Sequence, residues 1–139
     1  MIKHLPTVAG ALLGLLFVAS GLVVLLNLIE PPPLPEGSPP ALFMGALAPT
    51  GYLTFVKVLE VLGGILVAVP RTRNLGLLVL GPIIVNILAF HLFVADGVGL
   101  LDPPVVLICL LAGYLLWVER GAFAGLVMRR HDRVQLAAG

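Results

Sequence analysis

The chain has 139 residues, of which 60% are hydrophobic and only 11% are charged. Soluble domains carry about 25% charged residues, and a 14.6 kDa globule has too little interior to bury so much apolar side chain. The composition therefore disfavours a soluble enzyme, a disordered chain and a nucleic-acid binder, and the net charge of +1 indicates no particular partner. It predicts an all-α integral membrane protein.

Four apolar stretches predict four membrane-spanning helices. The first three are long enough, because crossing the hydrocarbon layer takes about 17–25 helical residues. The fourth is shorter, but Asp102 and Pro103 provide an N-cap and a proline at the first helical position. The predicted spans are residues 5–29, 52–69, 75–95 and 103–118.

The loop of residues 30–51 is rich in proline and should be largely extended. Within it, the apolar piece 41–47 predicts a short interfacial or re-entrant helix capped by Ser38. Near the N-terminus, Lys3 and the small residues 18–20 also fit a signal peptide. The apolar run continues nine residues beyond them, which favours an uncleaved anchor.

Basic residues alternate between successive loops, and this pattern predicts the orientation. They occur before the first span, between the second and third spans, and in the tail of residues 119–139, whereas the other two loops carry only acidic charges. The positive-inside rule then predicts an inner-membrane protein whose two termini both lie in the cytoplasm. The basic residues outside the predicted spans are Lys3, Arg71, Arg73, Arg120, Arg129, Arg130 and Arg133.

Small residues recur at spacings that allow helices to approach closely in lipid. Gly10 and Gly14 lie four residues apart in the first span, and Gly63 and Gly64 form a smooth stripe in the second. Helix packing is the favoured interpretation for these glycines, with the lining of a ligand groove as the alternative. Cys109 and Gly113 predict the same kind of close contact in the fourth span. The single cysteine also excludes an intrachain disulfide.

Lys57 and Glu60 lie within the second span, where a charge costs about 2.5–3.5 kcal/mol. Their i, i+3 spacing predicts an ion pair that faces away from lipid. A helical rise of about 1.5 Å per residue places Glu60 at the level of Asn86 in the third span, with His91 nearer the outer face. These four side chains are predicted to converge, with Asn27 and Glu30 approaching from above.

Two interpretations of this polar group stay open. It can form a pocket that hydrogen-bonds a quinone or another amphipathic ligand, or that passes a proton between His91 and Glu60. It can instead be a structural ion pair and amide that lock two helices together. No metal site is predicted, since one membrane histidine cannot supply both axial ligands of a haem.

The chain resembles the DoxX-like family of small membrane proteins. The matching stretches are K-V-L-E-V-L-G-G at residues 57–64, P-R-T-R at 70–73 and P-I-I-V-N-I-L-A-F-H at 82–91. The resemblance covers roughly residues 18–116 and implies a four-helix bacterial inner-membrane protein. Some relatives are subunits of a thiosulfate:quinone oxidoreductase, others are linked to oxidative-stress complexes, and many have no assigned activity. The resemblance assigns no catalytic roles to these positions.

Three function hypotheses follow. The first is a membrane subunit of a redox system that binds quinone near Lys57, Glu60 and His91, and it requires a partner protein. The second is a binding or transport protein for a lipid-like small molecule. The third is a non-catalytic scaffold that anchors partner proteins through its helices or proline-rich loop. Whether the chain forms a homo-oligomer stays open. No complete catalytic constellation is visible in the sequence.

Overall fold

A computed structural model describes residues 2–128, and this part of the chain is helical with no strand. The described residues do not include Arg129, Arg130 and Arg133, on which the predicted orientation also rests. After a short 3₁₀ turn, six α-helices follow in order. They are α1 (Leu5–Leu25), α2 (Pro39–Leu47), α3 (Tyr52–Ala68), α4 (Arg73–Ala89), α5 (Pro103–Val118) and α6 (Arg120–Val127), with a π-helical segment, Phe90–Val94, extending α4.

Two helices are long and apolar enough to cross a membrane on their own. They are Ile2–Leu25 and Arg73–Val94. The count rises to four if each of two bent pairs forms one span. The first pair is α2 with α3, bent by 82°, and the second is α5 with α6, bent by 69°.

The helix boundaries agree with the predicted spans to within one residue except at two points. The first helix ends at Leu25 rather than at residue 29, because Asn27 adopts a left-handed conformation with φ of 51°. The backbone N–H of Leu28 then donates to Val23 and that of Asn27 to Val24, which is a Schellman cap. Helix α4, which corresponds to the third predicted span, begins at Arg73, two residues earlier than predicted.

Four helices close a ring. Helix α1 packs against α3 and α5, and α4 packs against the same two helices. The buried core lies near one end of this four-helix arrangement. That end is formed by the start of α1 and the end of α3, and we call it the core end. The core includes Leu13, Phe17, Val67, Leu80 and Leu115, each of which is at most 1% exposed.

The predicted glycines bring α1, α3 and α4 into close contact. A Cβ added to Gly64 would lie 2.8 Å from the carbonyl oxygen of Gly14, and one added to Gly10 would lie 2.8 Å from that of Val67. A Cβ on Gly63 would meet Leu80 of α4 at 2.7 Å. These positions are therefore helix-packing sites, as the favoured interpretation held.

The prediction for Gly113 is wrong. Among residues 2–128, no atom would lie within 4 Å of a Cβ added there. Helix α5 instead turns Ala112 and Leu115 into the core, while Cys109 is half-buried against it. The spacing of small residues does not reveal which side of a helix faces its neighbours.

Arg73 at the start of α4 and Glu119 at the end of α5 form an ion pair at the core end. The side chain of Arg73, 7% exposed, contacts the Glu119 carboxylate, with Nη1 to Oε1 at 3.4 Å. Its Nε would lie 3.2 Å from a Cβ on Gly10. The start of α1, the start of α4 and the end of α5 therefore meet at this end.

We predict that Gly64→Ala destabilises the fold by about 1–3 kcal/mol, since the added methyl group must push α1 away from α3. The free energy of unfolding, measured by titrating the micelle-bound protein with sodium dodecyl sulfate, tests this. Gly113→Ala is the matched control, because it adds the same methyl group in open space. Equal stability of the two variants would contradict the close contact between α1 and α3.

Candidate functional site

The ion pair predicted between Lys57 and Glu60 is present on α3. The ammonium nitrogen of Lys57 lies 3.0 Å from each oxygen of the Glu60 carboxylate. Glu60 is only 3% exposed, and the hydroxyl of Ser20 on α1 donates to its Oε2 at 3.4 Å. The carboxylate is thus held from its own helix and from the neighbouring helix.

The polar residues singled out in the sequence line one cavity of about 530 Å³. These are Lys57, Glu60, Asn86 and His91. Asn27 at the end of α1 also lines it, as predicted, whereas Glu30 is not among the lining residues. The cavity lies at the end of the helix ring opposite the Arg73–Glu119 pair, so one end of the molecule is packed and the other is hollow.

His91 enters the cavity from the π-helical segment. The wider i→i+5 turn is closed by the backbone N–H of Ala95, which donates to Phe90 at 2.9 Å. The Nδ1 atom of His91 lies 2.9 Å from the carbonyl oxygen of Val98 in the following loop. π-helical turns are rare and occur frequently at functional sites.

Helix α2 covers the cavity. Its apolar side chains Phe43, Met44 and Leu47 belong to the lining, and the ring of Phe43 packs 5.2 Å from that of Phe90. The helix begins as predicted, since the side chain of Ser38 accepts a hydrogen bond from the backbone N–H of Ala41 at 3.4 Å. The short apolar piece in the proline-rich loop is thus part of the site.

Most of the remaining lining is apolar. It comes from the end of α1, the start of α3 and the end of α4, and includes Val23, Leu53, Val56 and Ile87. A cavity with apolar walls and a few convergent polar groups is the usual form of a small-molecule site. The arrangement can hold a molecule whose polar head meets the amides and imidazole and whose body lies against hydrocarbon.

Sequence reasoning missed several contributors. Ser20 was not singled out, although it lies one residue before Gly21 on a helix that packs closely against α3. The role of Phe43 had no signal in the sequence, because it depends on the 82° bend between α2 and α3. Arg73 was read only as a topology signal, whereas it is buried against Glu119.

Within residues 2–128, no group of three or more His, Cys, Asp or Glu side chains is placed to hold a metal ion. The candidate site is therefore described by hydrogen-bonding groups, one ion pair and apolar walls.

The chain is similar to an uncharacterized protein, YwoB, of Bacillus subtilis (strain 168), with 36% identity over 75 residues. The match covers 54% of this chain and 47% of YwoB, so the chain spans about half the length of this curated relative. No family model matches the chain, and no solved structure matches it. The resemblance to the DoxX-like family stays a prediction from the residues.

We predict that Lys57→Met destabilises the protein by about 3–5 kcal/mol, because it leaves the Glu60 carboxylate buried without its cation. The double variant Lys57→Met/Glu60→Met should recover most of this loss, since it removes both charges. The coupling free energy comes from unfolding in sodium dodecyl sulfate of three variants: Lys57→Met, Glu60→Met and the double variant. Additive losses would show that the pair is not coupled in the folded protein.

Proposed function

We propose that the protein is a DoxX-like inner-membrane protein that binds a small amphipathic ligand of the quinone type. Its role is that of a membrane subunit of a redox system. The observation that carries the proposal is the single cavity that gathers Lys57, Glu60, Asn86 and His91 under the apolar cover of α2. A quinone needs hydrogen-bonding groups around its head and hydrocarbon around its body, and the cavity offers both.

The proposed topology has four spans, with both termini in the cytoplasm. It is supported by the many large apolar side chains that stay exposed, such as Leu15, Phe55 and Val85, because lipid rather than water would cover them. It is further supported by the Arg73–Glu119 contact, which groups the basic connection between α3 and α4 with the start of α1 and the end of α5. The described basic residues outside the spans thus lie toward the core end, and by the positive-inside rule we assign this end to the cytoplasm.

Single cysteines in a Cys109→Ser background test the topology. We expect Glu36→Cys and Leu101→Cys to react with a membrane-impermeant maleimide added to intact cells. Arg71→Cys should react only after the membrane is permeabilised. Labelling of Arg71→Cys in intact cells would contradict the orientation.

The ligand test uses decylubiquinone, in its oxidised and reduced forms, and native mass spectrometry of the protein released from detergent micelles. We expect one molecule to be retained per chain. Val56→Trp should abolish retention of both forms, because Val56 lines the cavity and the indole would fill it. Val58→Trp is the matched control, since Val58 lies two residues further along α3 and is 42% exposed.

Retention of neither form by the unmodified chain would overturn the quinone proposal, as would unchanged retention by Val56→Trp. Far-ultraviolet circular dichroism of both variants establishes that the helices are intact. A redox partner that copurifies only with the quinone-retaining chain would further support the role as a subunit.

A further inference from the structure

We propose that the cavity selects an electrically neutral ligand that donates a hydrogen bond from a hydroxyl group, such as the phenolic or quinol form of an aromatic head. The inference rests on the proposed function and deepens it, because it names the chemical form that the site recognises. It follows from how the charges and hydrogen bonds of the cavity are already used.

The two full charges in the cavity neutralise each other. The Lys57 ammonium group lies 3.0 Å from both Glu60 oxygens, and the Ser20 hydroxyl donates to the same carboxylate. A charged ligand would have to break this pair in a largely apolar surrounding, leaving one buried charge without its partner. The site therefore favours a ligand without net charge.

The other polar side chains of the lining are the amides of Asn27 and Asn86, the phenol of Tyr52 and the imidazole of His91. The Tyr52 hydroxyl can donate and can accept, so it does not discriminate between a hydroxyl and a carbonyl oxygen. An amide both donates and accepts, so it does not discriminate between a hydroxyl and a carbonyl oxygen. The imidazole does discriminate, because a neutral histidine has one donor and one acceptor nitrogen.

In the neutral form of His91, the contact with Val98 determines which nitrogen accepts. A backbone carbonyl oxygen can only accept a hydrogen bond, so Nδ1, at 2.9 Å from it, carries the proton and donates. The Nδ1 and Cε1 atoms are also covered by the loop, since a Cβ on Gly99 would lie 3.1 Å from each. Nε2 is left with its lone pair and serves as the acceptor for a ligand.

Because the cavity is mostly apolar, the Nε2 acceptor of His91 needs a hydrogen-bond donor from the ligand. A ligand hydroxyl supplies one, whereas an ether or carbonyl oxygen in the same place would bring two lone pairs together and leave Nε2 unsatisfied. Sites that hydrogen-bond a hydroxyl reject analogues without it more strongly than apolar pockets reject a change in size. The Val98 carbonyl, by holding Nδ1, is thus a determinant of ligand choice.

The test compares two stable neutral probes that differ only at the oxygen, 4-decylphenol and its methyl ether 4-decylanisole. Equilibrium dialysis against the micelle-bound protein measures each dissociation constant, with empty micelles as the blank. We expect the phenol to bind at least tenfold more tightly than the ether. Dodecanoate and dodecylammonium should each bind more weakly than the phenol, because they carry a charge.

The variant that isolates the acceptor is His91→Phe, which keeps an aromatic ring and removes Nε2. We expect it to bring the two dissociation constants within a factor of two of each other. Phe93→Leu is the matched control, because it alters the same π-helical segment at a side chain that is 79% exposed, and the tenfold ratio should persist. A purely structural role of His91 would weaken both probes equally and leave their ratio unchanged.

The outcomes separate this inference from the proposed function. Equal binding of phenol and ether to the unmodified chain, or a tenfold ratio that survives in His91→Phe, overturns the hydroxyl preference while decylubiquinone retention still supports the quinone-type site. Binding of neither probe by a chain that retains decylubiquinone also overturns the preference. Tight binding of dodecanoate or dodecylammonium overturns the requirement for a neutral ligand.

Discussion

The burial of Glu60 constrains the rest of the structure. A carboxylate inside an apolar bundle persists only if a cation and hydrogen-bond donors meet it there. Lys57 reaches it from one helical turn away, and Ser20 reaches it from α1. The Ser20 contact requires α1 to lie close against α3 at this level. One interaction thus fixes the rotation of α3 about its axis and the position of α1 beside it.

The cavity lies at the end of the helix ring away from the buried core. Toward the core end, Gly10, Gly14 and Gly64 let the backbones of α1 and α3 meet, and the space between the four helices is filled by residues such as Phe17 and Leu80. Toward the other end, α1 and α3 stay close at Gly21, where an added Cβ would lie 3.0 Å from the carbonyl oxygen of Lys57. The cavity lies beyond this contact, between the end of α1, the start of α3 and the end of α4. The space left between them is covered by α2 rather than filled.

Much of the fold could be predicted from the sequence, because it follows from local signals. The apolar stretches, the Asp102-Pro103 start of α5 and the i, i+3 pairing of Lys57 with Glu60 all act within a few residues. The cavity depends on the relative rotation and bend of separate helices. That is why the contribution of Phe43 was not foreseen, and why Gly113 was assigned to a contact that it does not make.

The convergence of Asn86 and His91 shows how a local irregularity can complete a site that spacing only suggests. On a regular α-helix, side chains five residues apart point about 140° away from each other, since each residue turns the helix by about 100°. Asn86 and His91 nevertheless line the same cavity, and His91 lies in the π-helical segment Phe90–Val94, which takes more residues per turn. The same segment places His91 next to the loop carbonyl of Val98. The irregular turn therefore places the imidazole both at the cavity and against the loop, with its Nδ1 atom 2.9 Å from the Val98 carbonyl oxygen.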